Sequence, residues 1–177
     1  GELDNGWTFD FTVGNTDKSA YSSTTVNLTM GGLGSLNFNQ GDSGNGIDAL
    51  DDKMPNAYEE PWDAGAGAGF STVSGVHGSG VLQYSLPADI LGAGSTLKVA
   101  YSPRVDGGGL QADKGNSGIV GAKGSGVDVV LTMAPIEGLT IFAGMSDVDG
   151  QVGNKAQDTS SQAYGATFAV GGITVGA

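Results

Sequence analysis

The sequence predicts an all-β fold, an antiparallel up-and-down transmembrane β-barrel of which these 177 residues form part of the wall. Three observations predict it. Apolar and polar residues alternate through segment after segment, the period of a strand with two different faces. Short and long connections follow one another in turn, as they do when tight turns gather at one end of a meander and loops at the other. The second face is not merely dotted with polar residues: Thr, Asn, Ser, Gly, Asp and Lys fill it.

Residues 1–3 read as the tail of a strand, and Asp4-Asn5-Gly6 as a tight turn, because Asn and Gly tolerate positive φ. Residues 7–13 set Trp7, Phe9, Phe11 and Val13 against Thr8, Asp10 and Thr12. Residues 14–20 read as a polar loop. Residues 21–30 set Val26, Leu28 and Met30 against Thr25, Asn27 and Thr29. After a glycine turn at 31–34, residues 35–40 set Leu36 and Phe38 against Ser35, Asn37 and Asn39. Residues 80–86 then place Leu82, Tyr84 and Leu86 opposite Val81, Gln83 and Ser85. Residues 95–102 place Leu97, Val99 and Tyr101 opposite Thr96, Lys98 and Ala100. The strand over 126–133 has Val127, Val129, Leu131 and Met133 on one face and Asp128, Val130 and Thr132 on the other. Strands are also expected over 139–146, 162–170 and from 173 onward, with polar loops at 103–118 and 147–160. Phe142 breaks the pattern on the polar face, where it would line the wall beneath a loop.

A soluble sandwich alternates too, but it buries its apolar face. A membrane barrel turns that face outward and gathers aromatics near the strand ends, where Trp7, Tyr21, Tyr84, Tyr101 and Tyr164 lie. A mean hydropathy near zero suits a barrel whose faces average out. No run of about 18 apolar residues predicts a transmembrane helix. The net charge of −12 argues against nucleic acid and anionic lipid headgroups as electrostatic partners. There is no cysteine and one histidine, His77, which argues against a zinc or other transition-metal site and against a histidine-based triad. Scattered Gly-x-Gly triplets open no helix after a strand, so no dinucleotide site is expected. Glu59 and Asp63 offer the pair of carboxylates that glycoside cleavage uses, but any acidic loop does so, and no enzyme is expected.

The longest interruption is residues 41–69, with neither a strand pattern nor a sustained helical stripe. It carries seven carboxylates, Asp42, Asp48, Asp51, Asp52, Glu59, Glu60 and Asp63, against one base, Lys53. Tyr58 and Trp62 bracket the Glu59-Glu60 pair. A loop of this length in a tightly turned β protein is usually functional. Asp42, Asp48, Asp51 and Asp52 supply the oxygen ligands that Ca²⁺ takes, although their spacing is not that of the twelve-residue helix–loop–helix motif. A hydrated acidic segment is the plainer use of the same residues.

Five stretches carry a family resemblance: GELDNGWTFDFTVG, LTMGGLGSLNFNQGD, MPNAYEEPWDAGAG, TMAPIEGLTIFAGMSD and TFAVGGITVGA. In this order, over nearly the whole chain, they resemble the general porins of Gram-negative outer membranes, the alphaproteobacterial kind in particular. The resemblance implies a sixteen-stranded barrel, a homotrimer in outer-membrane lipid, and passive diffusion of small hydrophilic solutes and ions with no cofactor required. It also implies that residues 41–69 fold into the lumen as the constriction loop. Glu59, Glu60 and Asp63 would then line the narrowest passage, where carboxylates raise the local cation concentration and repel anions. Lys98, of inward parity, and Arg104, the single arginine, would be the opposing bases. The chain departs from the family in being about half the expected length and in carrying few bases, and it reads as a fragment of a longer protein. The competing expectation is a secreted or cell-surface β-sheet adhesin or calcium-binding structural protein.

Overall fold

The computed structural model describes residues 1–16, 19–40, 45–53, 75–76, 80–105, 123–150 and 158–176. They form one antiparallel sheet of nine strands in simple sequence order. The strands are β1 (Thr8–Thr16), β2 (Ser19–Thr29), β3 (Ser35–Gln40), β4 (Val81–Ser85), β5 (Thr96–Ser102), β6 (Lys123–Ile136), β7 (Leu139–Gly150), β8 (Thr159–Val170) and β9 (Ile173–Gly176). Ahead of β1, residues 1–3 return antiparallel to 7–9: Leu3 N–H donates to the Trp7 carbonyl and Phe9 N–H to that of Gly1. The all-β, up-and-down expectation holds. The sheet is open, with β1 and β9 at opposite ends of the strand order. Among the described residues there is no α-helix, only two 3₁₀ helices, Gly31–Leu33 and Gly46–Lys53.

The short turns are made by local chemistry. Val170 pairs with Ile173 across Gly171 and Gly172, whose φ values of 56° and 84° are those of a two-residue turn that suits the strand twist. Gly138 turns β6 into β7 at φ 79°, and a Cβ there would lie 2.4 Å from the Ala169 carbonyl oxygen. At the other end of the sheet two of the expected loops, 14–20 and 147–160, are shorter than the sequence suggests. β1 runs to Thr16 and β2 starts at Ser19, so most of the polar stretch 14–20 is hairpin. β7 continues through Asp147, Val148 and Asp149 to Gly150, and β8 begins at Thr159. β6 extends past 126–133 at both ends. The ladder supplies backbone hydrogen bonds whatever the side chains are, so a polar strand paired on one or both sides persists where hydrophobic alternation has faded.

The register aligns the two faces into transverse rows. One apolar row runs Phe9, Leu28, Leu36, Tyr84, Val99, Val129 and Met145 across β1 to β7. A second runs Phe11, Val26, Phe38, Leu82, Tyr101 and Val127. On the opposite face a polar row passes through Asp10, Asn27, Asn37, Gln83, Ala100, Asp128, Ser146 and Ser161, spanning eight strands.

Burial is inverted relative to a soluble sheet. Phe11 is 64% exposed and Tyr164 83%, and Phe38, Leu82, Tyr101, Val127, Ile141 and Met145 are exposed with them. Apart from Ser95, in the turn before β5, the buried residues lie on or against the polar face. One cluster joins Val76, Val81, Ala100, Val105 and Val148. The other joins Ile47, Leu50, Val130 and Phe142, with Ala163 against it. No second sheet covers the apolar face among the described residues.

Candidate functional site: the docked segment on the polar face

The connection from β3 to β4 leaves the strand register, and its described portions, residues 45–53 and 75–76, pack on the polar face. The first forms the 3₁₀ helix. Three residues per turn put Ile47 and Leu50 on one side, and both are buried against Val130 and Phe142. No helical stripe is legible here in the sequence, because two apolar residues at a spacing of three are too few to mark one. Phe142, the misfit of the alternation, lies beneath this helix as expected, only 4% exposed.

The sheet meets the segment with polar side chains and missing ones. Gln83 Oε1 accepts the Gly46 N–H at 3.0 Å. Asp128 Oδ2 accepts the Ile47 N–H at 2.9 Å and the Val76 N–H at 3.0 Å. A Cβ on Gly144 would stand 2.8 Å from Leu50 Cδ1, and one on Gly126 2.8 Å from Val76 Cγ1. These two glycines let the segment lie directly on β6 and β7. Further along the row, the Asn37 side-chain amide donates to Asn27 Oδ1, a pair that needs no charge.

The expected site residues are placed as follows. Lys98 pairs in register with Ser85 and Val130, which puts it on the polar face beside the docked helix, half-buried. Arg104 lies just past β5, half-buried; its carbonyl oxygen is 2.8 Å from Ser102 Oγ. Asp48, Asp51 and Asp52 all fall within the 3₁₀ helix, and Asp48 is half-buried. Asp42, Glu59, Glu60, Asp63 and His77 lie outside the described residues. Among the described residues no three His, Asp or Glu side chains are grouped to hold a metal ion.

Asp128, Gln83 and the glycines at 46, 75, 126 and 144 stand outside the site residues expected from the sequence. Asp128 carried a usable signal. It is the one carboxylate in the run Val127-Asp128-Val129-Val130-Leu131, and aspartate is depleted from strand interiors. Comparison with protein-family models, with curated proteins and with solved structures found no match.

Proposed function

We propose that this sheet is part of the wall of a water-filled outer-membrane channel in a Gram-negative bacterium, passing small hydrophilic solutes and ions with a preference for cations. The observation that carries this reading is the inversion of the sheet: continuous apolar rows open to the surroundings, and a polar face that holds a docked segment. Contiguous exposed apolar surface on this scale marks a contact with membrane or partner, and in a barrel it is the lipid-facing side. Five strands are long enough for this: β1 has 9 residues, β2 11, β6 14, β7 12 and β8 12, against the roughly 9–11 that cross a bilayer, whereas β3, β4, β5 and β9 have 6, 5, 7 and 4. No helix of the described residues is long and apolar enough to cross a membrane, which says nothing of strands.

An open sheet edge is not tolerated in hydrocarbon, so the reading requires further strands to close the barrel, with trimer assembly as the family resemblance implies. The docked segment would then stand in the lumen. Glu59, Glu60 and Asp63 would face the passage, with Lys98 and Arg104 on the wall side. Low-dielectric walls focus the field of such charges.

The test is fractionation and planar-bilayer recording of the full-length protein. Recovery from the outer membrane with stepwise conductance is expected. A monodisperse protein in water without detergent, carrying no current, would overturn the reading in favour of a secreted β-sheet protein. Glu59→Gln with Glu60→Gln should move the reversal potential under a salt gradient toward anions, most at low ionic strength, where screening is weakest.

A further inference from the structure

Asp128 sits mid-strand in β6, with none of its surface exposed. A buried carboxylate is costly unless its oxygens are hydrogen-bonded. Here one oxygen, Oδ2, receives both N–H groups, from Ile47 and from Val76. The two donors belong to opposite ends of the connection between β3 and β4, and each directly follows a glycine. A Cβ on Gly46 would fall 2.1 Å from Oδ2; one on Gly75 would fall 2.2 Å from it and 2.4 Å from Ile47 Cγ2. The two dipeptides, Gly46-Ile47 and Gly75-Val76, thus approach the same atom by the same device. From there their side chains diverge: Ile47 enters one buried cluster and Val76 the other.

The geometry points to Asp128 as a positioning residue, a single wall acceptor that clamps both ends of the β3–β4 connection to the polar face. The clamp fixes where residues 45–53 and 75–76 stand on the wall. Under the channel reading, on which this consequence rests, it fixes the cross-section beside them. The acceptor is what matters, not the charge. Asn keeps one side-chain oxygen for the two N–H groups, and its amide would occupy the place of Oδ1, which has no hydrogen-bond partner. Ser146, opposite Asp128 in the register, has a buried hydroxyl also without one.

The test uses the full-length protein carrying Leu50→Cys, a buried position in a stretch of 177 residues without cysteine, with any cysteine elsewhere replaced by serine. Maleimide labelling reports whether the segment is docked, and single-channel recording reports the passage. Asp128→Ala should raise the labelling rate about tenfold or more, the factor that the loss of two hydrogen bonds is worth, and should change the unit conductance or its noise. Asp128→Asn should label and conduct as the parent does. Gly75→Ala, which leaves β6 untouched, should reproduce the effect of Asp128→Ala and stands in for it if that variant does not fold. Parental labelling in both Asp128→Ala and Gly75→Ala overturns the clamp, whatever the conductance. Labelling of Asp128→Asn at the rate of Asp128→Ala overturns the acceptor role. Raised labelling with no current in parent or variants supports the clamp and removes the channel reading instead.

Discussion

The two faces of this one sheet differ in how their atoms are held. On the apolar face, Phe11 and Tyr164 project from continuous rows of like side chains and touch no second layer among the described residues. On the polar face, Phe142, Val148 and Asp128 are close to fully buried, and glycines at 126 and 144 leave room for Val76, Ile47 and Leu50. The polar face therefore carries the jigsaw packing, and the apolar face carries only chemical character. Polarity and packing density are separate properties of a surface. A face rich in Asn, Gln and Thr becomes a packed interface once a segment of chain with its own apolar residues is laid on it. An apolar face needs no specific packing if its solvent is as apolar as it is.

The contrast is sharpest for a pair of phenylalanines. Phe142→Ala removes the largest side chain of its buried cluster and should cost about 3–5 kcal/mol, measured by denaturant unfolding in detergent micelles or vesicles. Phe11→Ala should cost clearly less, because Phe11 is 64% exposed and its truncation leaves no enclosed cavity. Equal losses would mean that Phe11 is as tightly packed as Phe142, and the two-face contrast would fail.

Charge probes the same contrast from the other side. Val129 lies mid-strand in β6 on the apolar face; under the channel reading proposed above, Val129→Arg should cost about 2–4 kcal/mol, read as impaired folding into vesicles. Thr25→Arg, on the polar face, should insert nearly as the parent does. If both variants insert alike, the apolar face does not meet lipid.

Smaller effects test the packing itself. A Cβ at Gly126 would stand 2.8 Å, 2.9 Å and 3.0 Å from methyl groups of Val76, Val105 and Val148. Gly126→Ala should therefore cost about 1–3 kcal/mol by overpacking, whereas Gly32→Ala, which meets nothing within 4 Å, should stay within about 0.5 kcal/mol. The least effect is expected of Ser146→Ala. The Ser146 hydroxyl is buried with no hydrogen-bond partner, so its removal should leave the unfolding midpoint unchanged or slightly raised. A marked loss would show that the hydroxyl has a partner after all.

The sequence by itself determined the strands, their order and their two faces. Leu28, Leu36, Tyr84 and Val99 fall on one face because the side-chain period of a strand is two, and that period is written locally in each segment. Glycine-rich turns such as 171–172 are likewise local, since they need only positive φ. Strand ends at Thr16, Gly150 and Thr159 were not legible, because partner strands extended them beyond their own alternation. The docking of residues 45–53 was legible in part: Phe142 marked the place, and the interruption of the strand pattern marked the segment. The acceptor that holds it was not. Asp128 follows Ile47 by 81 positions and Val76 by 52, and nothing in the chain near any of the three declares the others. Only the register of β4, β5, β6 and β7 brings Gln83, Ala100, Asp128 and Ser146 into one row, because cross-strand neighbours are set by pairing between distant segments. A backbone N–H carries no side-chain identity that a sequence could display, so a clamp made of two of them on one carboxylate exists only once the sheet has formed.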